Sequence, residues 1–296
     1  MRPRLPSMRT PRRPVLVAAL AAALVVVVVL AVTLGSVRGR DRGWSQRTVD
    51  LGEDASLTLR IPDDPGPHPV LLHVPGGGWT EIDETPVGDA FGHDEAVEAG
   101  WALATVRYRT GQDRDPATVS AADQVDDVTA VLTWIRESGP GVGLDDTLVA
   151  MGHSAGAHLL AVATARAHTG LQADSLVLVA GVYDFADDVR GSPMLVDGLR
   201  DAVGCDGDRC SAKARLEPAR WADPQDPPVA IVHGTDDTVA PVASAYRYAT
   251  ALRSAGVATS VRIVEGGRHR GTRLDATVRG VLRRAMRQAT DERSNR

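Results

Sequence analysis

Hydrophobic residues in this chain form short continuous runs, separated by longer stretches in which they recur at helical spacing. The runs predict eight strands, at 48–51, 57–61, 70–74, 102–106, 147–150, 176–180, 229–232 and 261–264. The stretches between them predict helices at 86–99, 117–138, 241–255 and 272–289, and one that begins just after Ser154. Continuous apolar runs are typical of strands buried on both faces of a parallel sheet. Their alternation with helices predicts an α/β fold: a doubly wound, mostly parallel sheet of about eight strands.

Residues 186–222 do not follow this alternation. They come after a predicted strand, at a point where an insertion would cover the strand ends. We expect them to form a small, mostly irregular cap over that edge of the sheet.

The N-terminus carries a separate hydrophobic pattern. Residues 1–14 contain five arginines and no acidic residue, and residues 15–37 are an uncharged run of mainly Ala, Val and Leu. About 20 apolar helical residues cross a bilayer, whereas the apolar core of a cleavable signal peptide has about 7–15. The sequence therefore predicts an uncleaved transmembrane signal-anchor with a cytoplasmic N-terminus. Residues 38–46 are then a linker, 47–290 a folded domain outside the cytoplasmic membrane, and 291–296 a polar tail; cleavage of the anchor would make the protein secreted.

The two cysteines, Cys205 and Cys210, both lie in the predicted cap. A translocated domain is in an oxidising compartment, where cysteines close in sequence commonly form a disulfide. We expect such a bond here, with two free thiols as the alternative if the domain faces the cytoplasm.

The composition mainly excludes certain classes of function. The formal net charge is -5, and a chain without a basic field is not expected to bind nucleic acid. No phosphate-binding loop or dinucleotide fingerprint is present, and no metal or cofactor is expected. The sequence does not indicate an oligomeric state.

The strongest local motif is Gly152-His153-Ser154-Ala155-Gly156, between a predicted strand and a predicted helix. This fits the nucleophile-elbow pattern G-x-S-x-G, in which a sharp turn exposes the serine hydroxyl above the sheet. The helix that follows directs backbone N–H groups at any negative charge that forms there. Ser154 is the candidate nucleophile.

A serine nucleophile needs a base, an acid and donors for an oxyanion. Asp237, or its neighbour Asp236, follows the strand at 229–232, and His269 lies in a glycine-rich loop after the last strand. The order Ser, Asp, His is that expected of an α/β-hydrolase.

The candidate oxyanion donors lie in two places. Gly76, Gly77 and Gly78 follow the strand at 70–74, and glycines allow the backbone to approach a ligand closely. The N–H groups of Gly77 and Gly78 are the first candidates, and the N–H of Ala155 is another.

From about residue 47 onward the chain resembles an α/β-hydrolase of the esterase/lipase type, nearest to the group of kynurenine formamidase and the small carboxylesterases. The resemblance rests on the elbow at 152–159, the Gly-Gly-Gly-Trp loop at 76–79, the segment 181–184 and the His-Gly-Thr-Asp-Asp loop at 233–237. It implies Ser154 as nucleophile, Asp237 as acid and His269 as base.

Two positions depart from that family pattern. Pro75 stands where the family usually has a histidine before the glycines, and Arg268 and Arg270 flank the base. The arginines would lower the pKa of the imidazole or bind an acidic substrate group; we favour the alternative that both are simply solvated.

The sequence thus predicts a serine hydrolase that cleaves a small-molecule carboxylic ester, with an arylformamidase-like amidase as the alternative and a catalytically silent, membrane-anchored binding module as a less favoured one. Trp79 and Tyr183 are candidates to line the substrate pocket, although each could equally pack in the core or against the lid. The remaining histidines are interpreted as structural (His153 and His158), as part of the acid loop (His233), or as loop and surface residues (His68, His93 and His168).

Overall fold

The computed structural model describes residues 37–38, 43–83, 90–111, 119–167, 170–185 and 215–295. The predicted anchor, apart from Val37, lies outside the described residues, as do Cys205, Cys210 and most of the predicted cap. Among the residues that are described, no helix is both long and apolar enough to cross a bilayer.

The described residues form one nine-stranded sheet in the order β1-β2-β3-β5-β4-β6-β7-β8-β9. The strands are β1 Val37–Arg38, β2 Trp44–Gly52, β3 Ala55–Pro62, β4 His68–Val74, β5 Ala102–Arg107, β6 Leu144–His153, β7 Ser175–Val179, β8 Val229–Gly234 and β9 Thr259–Val264. Six strands, β4 to β9, are parallel to one another, and β1, β2 and β3 pair antiparallel at one edge. The mostly parallel sheet is confirmed, with the two-residue β1 as an additional strand.

Five helices are described: α1 His93–Glu98, α2 Ala121–Glu137, α3 Ala155–Arg166, α4 Val242–Ser254 and α5 Thr272–Ser294. Helices α2, α3 and α4 contribute to a core on one face of the sheet. Helices α1 and α5 contribute to a second core on the other face. The doubly wound arrangement predicted from the alternation of elements is therefore present.

Several element bounds differ from those predicted. Strand β2 begins at Trp44, inside the predicted linker, and β1 pairs with its first residues through Val37↔Gln46. Residues Ser45, Gln46 and Arg47 are polar and give no apolar run, so the pattern misses this part of the strand. Helix α5 continues through Ser294 into the predicted tail, because residues 290–294 contain neither glycine nor proline. Helix α1 begins only at His93, after Gly92 in a left-handed conformation.

The topology brings the ends of four strands to one edge of the sheet. In the parallel register Val74 of β4 pairs with Gly152 of β6, and His153 pairs with Val179 of β7. The segments that follow β4, β6, β8 and β9 therefore all leave from the carboxyl edge, where ligands of such sheets bind. These four segments carry all the candidate triad and oxyanion residues.

Candidate active site

The turn between β6 and α3 holds Ser154 in an unusual backbone conformation. Its φ of 54° and ψ of -124° lie outside the regions that non-glycine residues normally occupy, at a cost on the order of 1–3 kcal/mol. Close packing maintains this turn: a Cβ on Gly156 would lie 2.1 Å from the carbonyl oxygen of Val74, and one on Gly152 would lie 2.6 Å from that of Gly156. The two glycines of the elbow are thus required by the approach of α3 to the strands.

The structure brings Ser154, His269 and Asp237 into one hydrogen-bonded chain. His269 Nε2 lies 2.9 Å from Ser154 Oγ, and His269 Nδ1 lies 2.8 Å from Asp237 Oδ2. The imidazole is mostly buried and the carboxylate fully so, with 17% and 0% of the side chains exposed. Asp236 has no such contact, because its exposed carboxylate accepts a bond from the Thr235 hydroxyl.

The Asp237 carboxylate is surrounded by hydrogen-bond donors. Its Oδ1 accepts from the N–H groups of Val239 and Ala240, at 2.9 and 2.8 Å, and its Oδ2 also lies 3.2 Å from His233 Nε2. Burial alone would raise the pKa of this carboxyl, but the bonds from His233 and His269 outweigh it and hold the pKa well below its usual range. Asp237 is therefore ionised at neutral pH. The predicted place of His233 in the acid loop is confirmed.

The glycine loop after β4, residues 75–79, approaches Ser154 closely. A Cβ on Gly76 would lie 3.0 Å from the Cβ of Ser154, and one on Gly77 would lie 1.8 Å from the carbonyl oxygen of Glu81. Gly77, Gly78 and Trp79 have consecutive positive φ angles of 137°, 61° and 66°. Only the two glycines adopt such angles without strain, so Trp79 must be held in place by its surroundings.

Three buried side chains form hydrogen bonds with this loop. The Tyr108 hydroxyl donates to the carbonyl oxygens of Pro75 and Gly76, at 3.0 and 3.3 Å. Gln124 Nε2 donates to the carbonyl oxygen of Trp79 at 2.6 Å, and Trp79 Nε1 donates to His158 Nδ1 at 3.0 Å. The loop is thus bound to the residue that follows β5 and to helices α2 and α3. The sequence analysis did not identify Tyr108 or Gln124, because their roles depend on contacts distant in sequence.

The two candidate pocket residues are both buried. Trp79 is 3% exposed, and Tyr183 is 2% exposed and stacks on Tyr248 of α4 with ring centroids 4.5 Å apart. The structure therefore places both rings in the core cluster on the α2, α3 and α4 face, in line with the core alternative weighed for each.

Histidines cluster behind the base. His153 Nε2 donates to the backbone carbonyl oxygen of His269 at 3.1 Å, and the two rings lie 5.0 Å apart. Burial, together with the nearby His269, lowers the pKa of His153 to about 4.

The interpretation of His68 and His93 as surface residues was wrong, since both are only 5% exposed. No group of three metal-ligating side chains is found within the described residues.

The arginines beside the base differ from each other. Arg268 is exposed, whereas Arg270 forms an ion pair with Asp83, whose backbone N–H donates to Gly76 at 2.9 Å. The view that both are simply solvated was therefore wrong for Arg270, which connects the loop of the base with the glycine loop.

The BD-FAE family profile matches residues 59–187, which contain the glycine loop and the elbow. Among curated proteins, the esterase LipQ of Mycobacterium tuberculosis is 31% identical over 269 residues, which are 84% of this chain and 62% of LipQ. The esterase LipC of the same organism is 31% identical over 242 residues, 74% of this chain and 58% of LipC. The chain thus spans about six tenths of the length of these relatives.

Solved structures share the architecture. An esterase from Thermogutta terrifontis with bound propionate superimposes with a TM-score of 0.65 at 22% identity, covering 83% of this chain and 94% of that one. A likeness at this identity shows the fold alone; the two sequence relatives named above are esterases.

Proposed function

We propose that this chain, as an α/β-hydrolase of the esterase/lipase type, hydrolyses small-molecule carboxylic esters through an acyl-enzyme on Ser154. The single observation that carries the proposal is the position of His269, within hydrogen-bond distance of both Ser154 Oγ and the buried carboxylate of Asp237. A hydroxyl, an imidazole and a carboxylate in this order are the groups that nucleophilic acyl transfer requires.

Each group has one task in the proposed reaction. His269 Nε2 takes the Ser154 proton while Oγ attacks the ester carbonyl carbon, and then gives that proton to the departing alkoxide. Asp237 accepts from Nδ1–H throughout and stabilises the imidazolium that forms. Water, activated by the same imidazole, then attacks the acyl-enzyme and releases the acid.

The negative charge of the tetrahedral intermediate needs donors opposite the nucleophile. We assign this role to the backbone N–H groups of Gly77, Gly78 and Ala155. Two features support it: the glycine loop lies within contact distance of Ser154, and Ala155 is the first residue of α3, where N–H groups are not used within the helix.

The test is hydrolysis of a p-nitrophenyl ester series of increasing acyl length, with N-formyl aryl amides in the same panel. We expect measurable ester turnover and a fall of at least about 10⁴-fold in kcat for Ser154→Ala. Ser138→Ala, the same change at an exposed serine, is the control and should leave turnover unchanged. Preference for the formyl amides would favour the amidase alternative, and absence of turnover on every substrate would favour the silent binding module.

We propose the cellular location of the protein from its sequence. The basic segment 1–14 and the apolar run 15–37 support anchoring in the cytoplasmic membrane with the catalytic domain outside, and a disulfide between Cys205 and Cys210 is proposed for the same reason. Membrane fractionation followed by protease treatment of intact cells tests the first, and intact mass before and after reduction with alkylation tests the second.

A further inference from the structure

Trp79 closes the glycine loop in a conformation that its own side chain does not favour. It has a φ of 66°, a value that a bulky residue adopts only when its surroundings enforce it. Its indole is almost completely buried and makes one side-chain hydrogen bond that the structure records, to His158. The hydrogen bond to His158 therefore restrains the Trp79 side chain at the end of the loop.

His158 is bound on both ring nitrogens, in a way that specifies its tautomer. The indole N–H of Trp79 is a donor only, so Nδ1, at 3.0 Å, must be the unprotonated acceptor. Nε2 then carries the proton and donates to the carbonyl oxygen of Leu216 at 2.7 Å. The ring is fully buried, and burial lowers the pKa of His158 to about 4, so the neutral form persists at neutral pH.

Helix α3 connects this contact with the nucleophile. Ser154 immediately precedes the helix, Ala155 is its first residue and His158 lies one turn further on. The helix packs against the end of β4 through Gly156, where no side chain would fit. The nucleophile, the Ala155 N–H and the residue that holds Trp79 therefore belong to one rigid element.

We propose that His158 is a positioning residue, which holds Trp79 so that the N–H groups of Gly77 and Gly78 face the oxyanion formed at Ser154. The inference rests on the proposed function, because it assigns His158 a part in the rate of that reaction. His158 does not touch the reacting atoms; it acts through the Trp79 side chain and the loop that this side chain terminates.

The test compares kcat and KM for a p-nitrophenyl ester, with rates normalised to active sites titrated by a fluorophosphonate. Trp79→Phe keeps an aromatic ring and removes the donor, and His158→Phe removes the acceptor. His158→Asn restores an acceptor close to the position of Nδ1. Phe185→Leu is the matched control, since its ring packs 4.7 Å from His158 and 5.8 Å from Trp79 without a hydrogen bond between them.

We expect kcat to fall about tenfold in Trp79→Phe and in His158→Phe, with KM changed less than twofold, because the oxyanion forms only after binding. The double variant should be no slower than either single one, and His158→Asn should recover much of the lost rate. Phe185→Leu should lower the melting temperature with kcat within twofold of wild type.

Three results would overturn the inference: unchanged kcat in both single variants, losses that multiply in the double variant, or an equal loss of kcat in Phe185→Leu. If His158→Phe does not fold, Trp79→Phe and His158→Asn still decide the matter. Failure of the proposed function is a different result, in which the wild-type protein itself hydrolyses no ester and Ser154 is not phosphonylated.

Discussion

Two sets of contacts meet at Ser154, and they are built differently. On the acid–base side, made of His269, Asp237 and His233, the side chains that would do the chemistry bind one another around a buried negative charge. On the oxyanion side, the loop of residues 75–79, the proposed donors are backbone groups. The loop is held by uncharged hydrogen bonds that Tyr108 and Gln124 donate to its carbonyl oxygens and that His158 accepts from Trp79.

Because of this difference, mutations on the two sides should change the reaction rate in different ways. Loss of a group on the acid–base side removes a participant in proton transfer, so the rate should fall steeply. Loss of a contact on the oxyanion side leaves every participant present but less well placed, so the effect should be graded and should appear in kcat more than in KM. The following predictions test this comparison, from the largest expected effect to the smallest.

The largest effect is expected from Asp237→Asn. In this variant the amide oxygen would keep the place that accepts from the N–H groups of Val239 and Ala240, so the NH2 group would face His269 Nδ1. A donor at that place favours the tautomer with the proton on Nε2, which cannot take the Ser154 proton, so kcat should fall about 10³–10⁴-fold. Asp236→Asn is the matched control at the adjacent, exposed carboxylate and should change kcat less than twofold. A larger loss in Asp236→Asn than in Asp237→Asn would reverse the assignment of the acid.

His158 on the oxyanion side and Asp237 on the acid–base side should affect stability in different pH ranges. The pKa of His158 is about 4 in the folded chain, against its ordinary value of 6.5, so between these values only the unfolded chain binds the proton. The free energy of unfolding should therefore decrease as the pH falls from 6.5 to 4, by about 1.4 kcal/mol per pH unit for this group. The depressed pKa of Asp237 contributes stability that is lost only below its ordinary value of 3.8.

Urea unfolding at pH values from 7 to 4 checks this prediction. In His158→Phe the free energy of unfolding should decrease less steeply with falling pH than in wild type. The difference in slope should be about 1.4 kcal/mol per pH unit, the value for one bound proton. An identical pH dependence in the two proteins would contradict a buried, neutral His158.

Tyr108→Phe should give an intermediate effect. The variant removes the hydroxyl that donates to Pro75 and Gly76, while burial raises the pKa of Tyr108 and keeps that group a donor in wild type. We expect kcat to fall about tenfold with KM nearly unchanged, a loss of about 1.4 kcal/mol. Tyr246→Phe, the same change at a ring that is 52% exposed, should leave kcat within twofold. Equal effects in the two variants would show that the loop does not depend on Tyr108.

The smallest effect is expected from Arg270→Gln. Arg270 connects the two sides through its ion pair with Asp83, but 43% of its side chain is exposed, and such pairs contribute about 0–1 kcal/mol. The loss in kcat/KM should be about twofold or less and should disappear at high salt, with Arg268→Gln as the neighbouring control. A loss above tenfold for esters of acidic acyl groups alone would instead give Arg270 a role in substrate binding.

The sequence predicted the acid–base side better than the oxyanion side, for a physical reason. The elbow at Ser154 is a local motif, and the loops of Asp237 and His269 each follow a strand that its apolar run reveals. The strand order then brings them together at one edge. Only the choice between Asp236 and Asp237 needed the structure, since adjacent residues point to different sides of the same loop.

The supports of the oxyanion side were not predictable in the same way. Tyr108 follows β5, whereas Gln124 and His158 belong to α2 and α3, and nothing in their spacing indicates a common partner. His68 illustrates the same limit: it was interpreted as a surface residue, yet it is buried with Nδ1 3.0 Å from the carbonyl oxygen of Gly100. A buried polar residue is recognised only once its distant hydrogen-bond partner is known.

The central claim, that Ser154 is the nucleophile activated by His269, is tested most directly by covalent labelling. The wild-type protein is treated with a fluorophosphonate and digested, and the modified residue is located by mass spectrometry. We predict a single adduct on Ser154 that is lost in Ser154→Ala and forms at least about 10³-fold more slowly in His269→Ala. No adduct on wild type, or an adduct on Ser154 that forms equally fast without His269, would contradict the account.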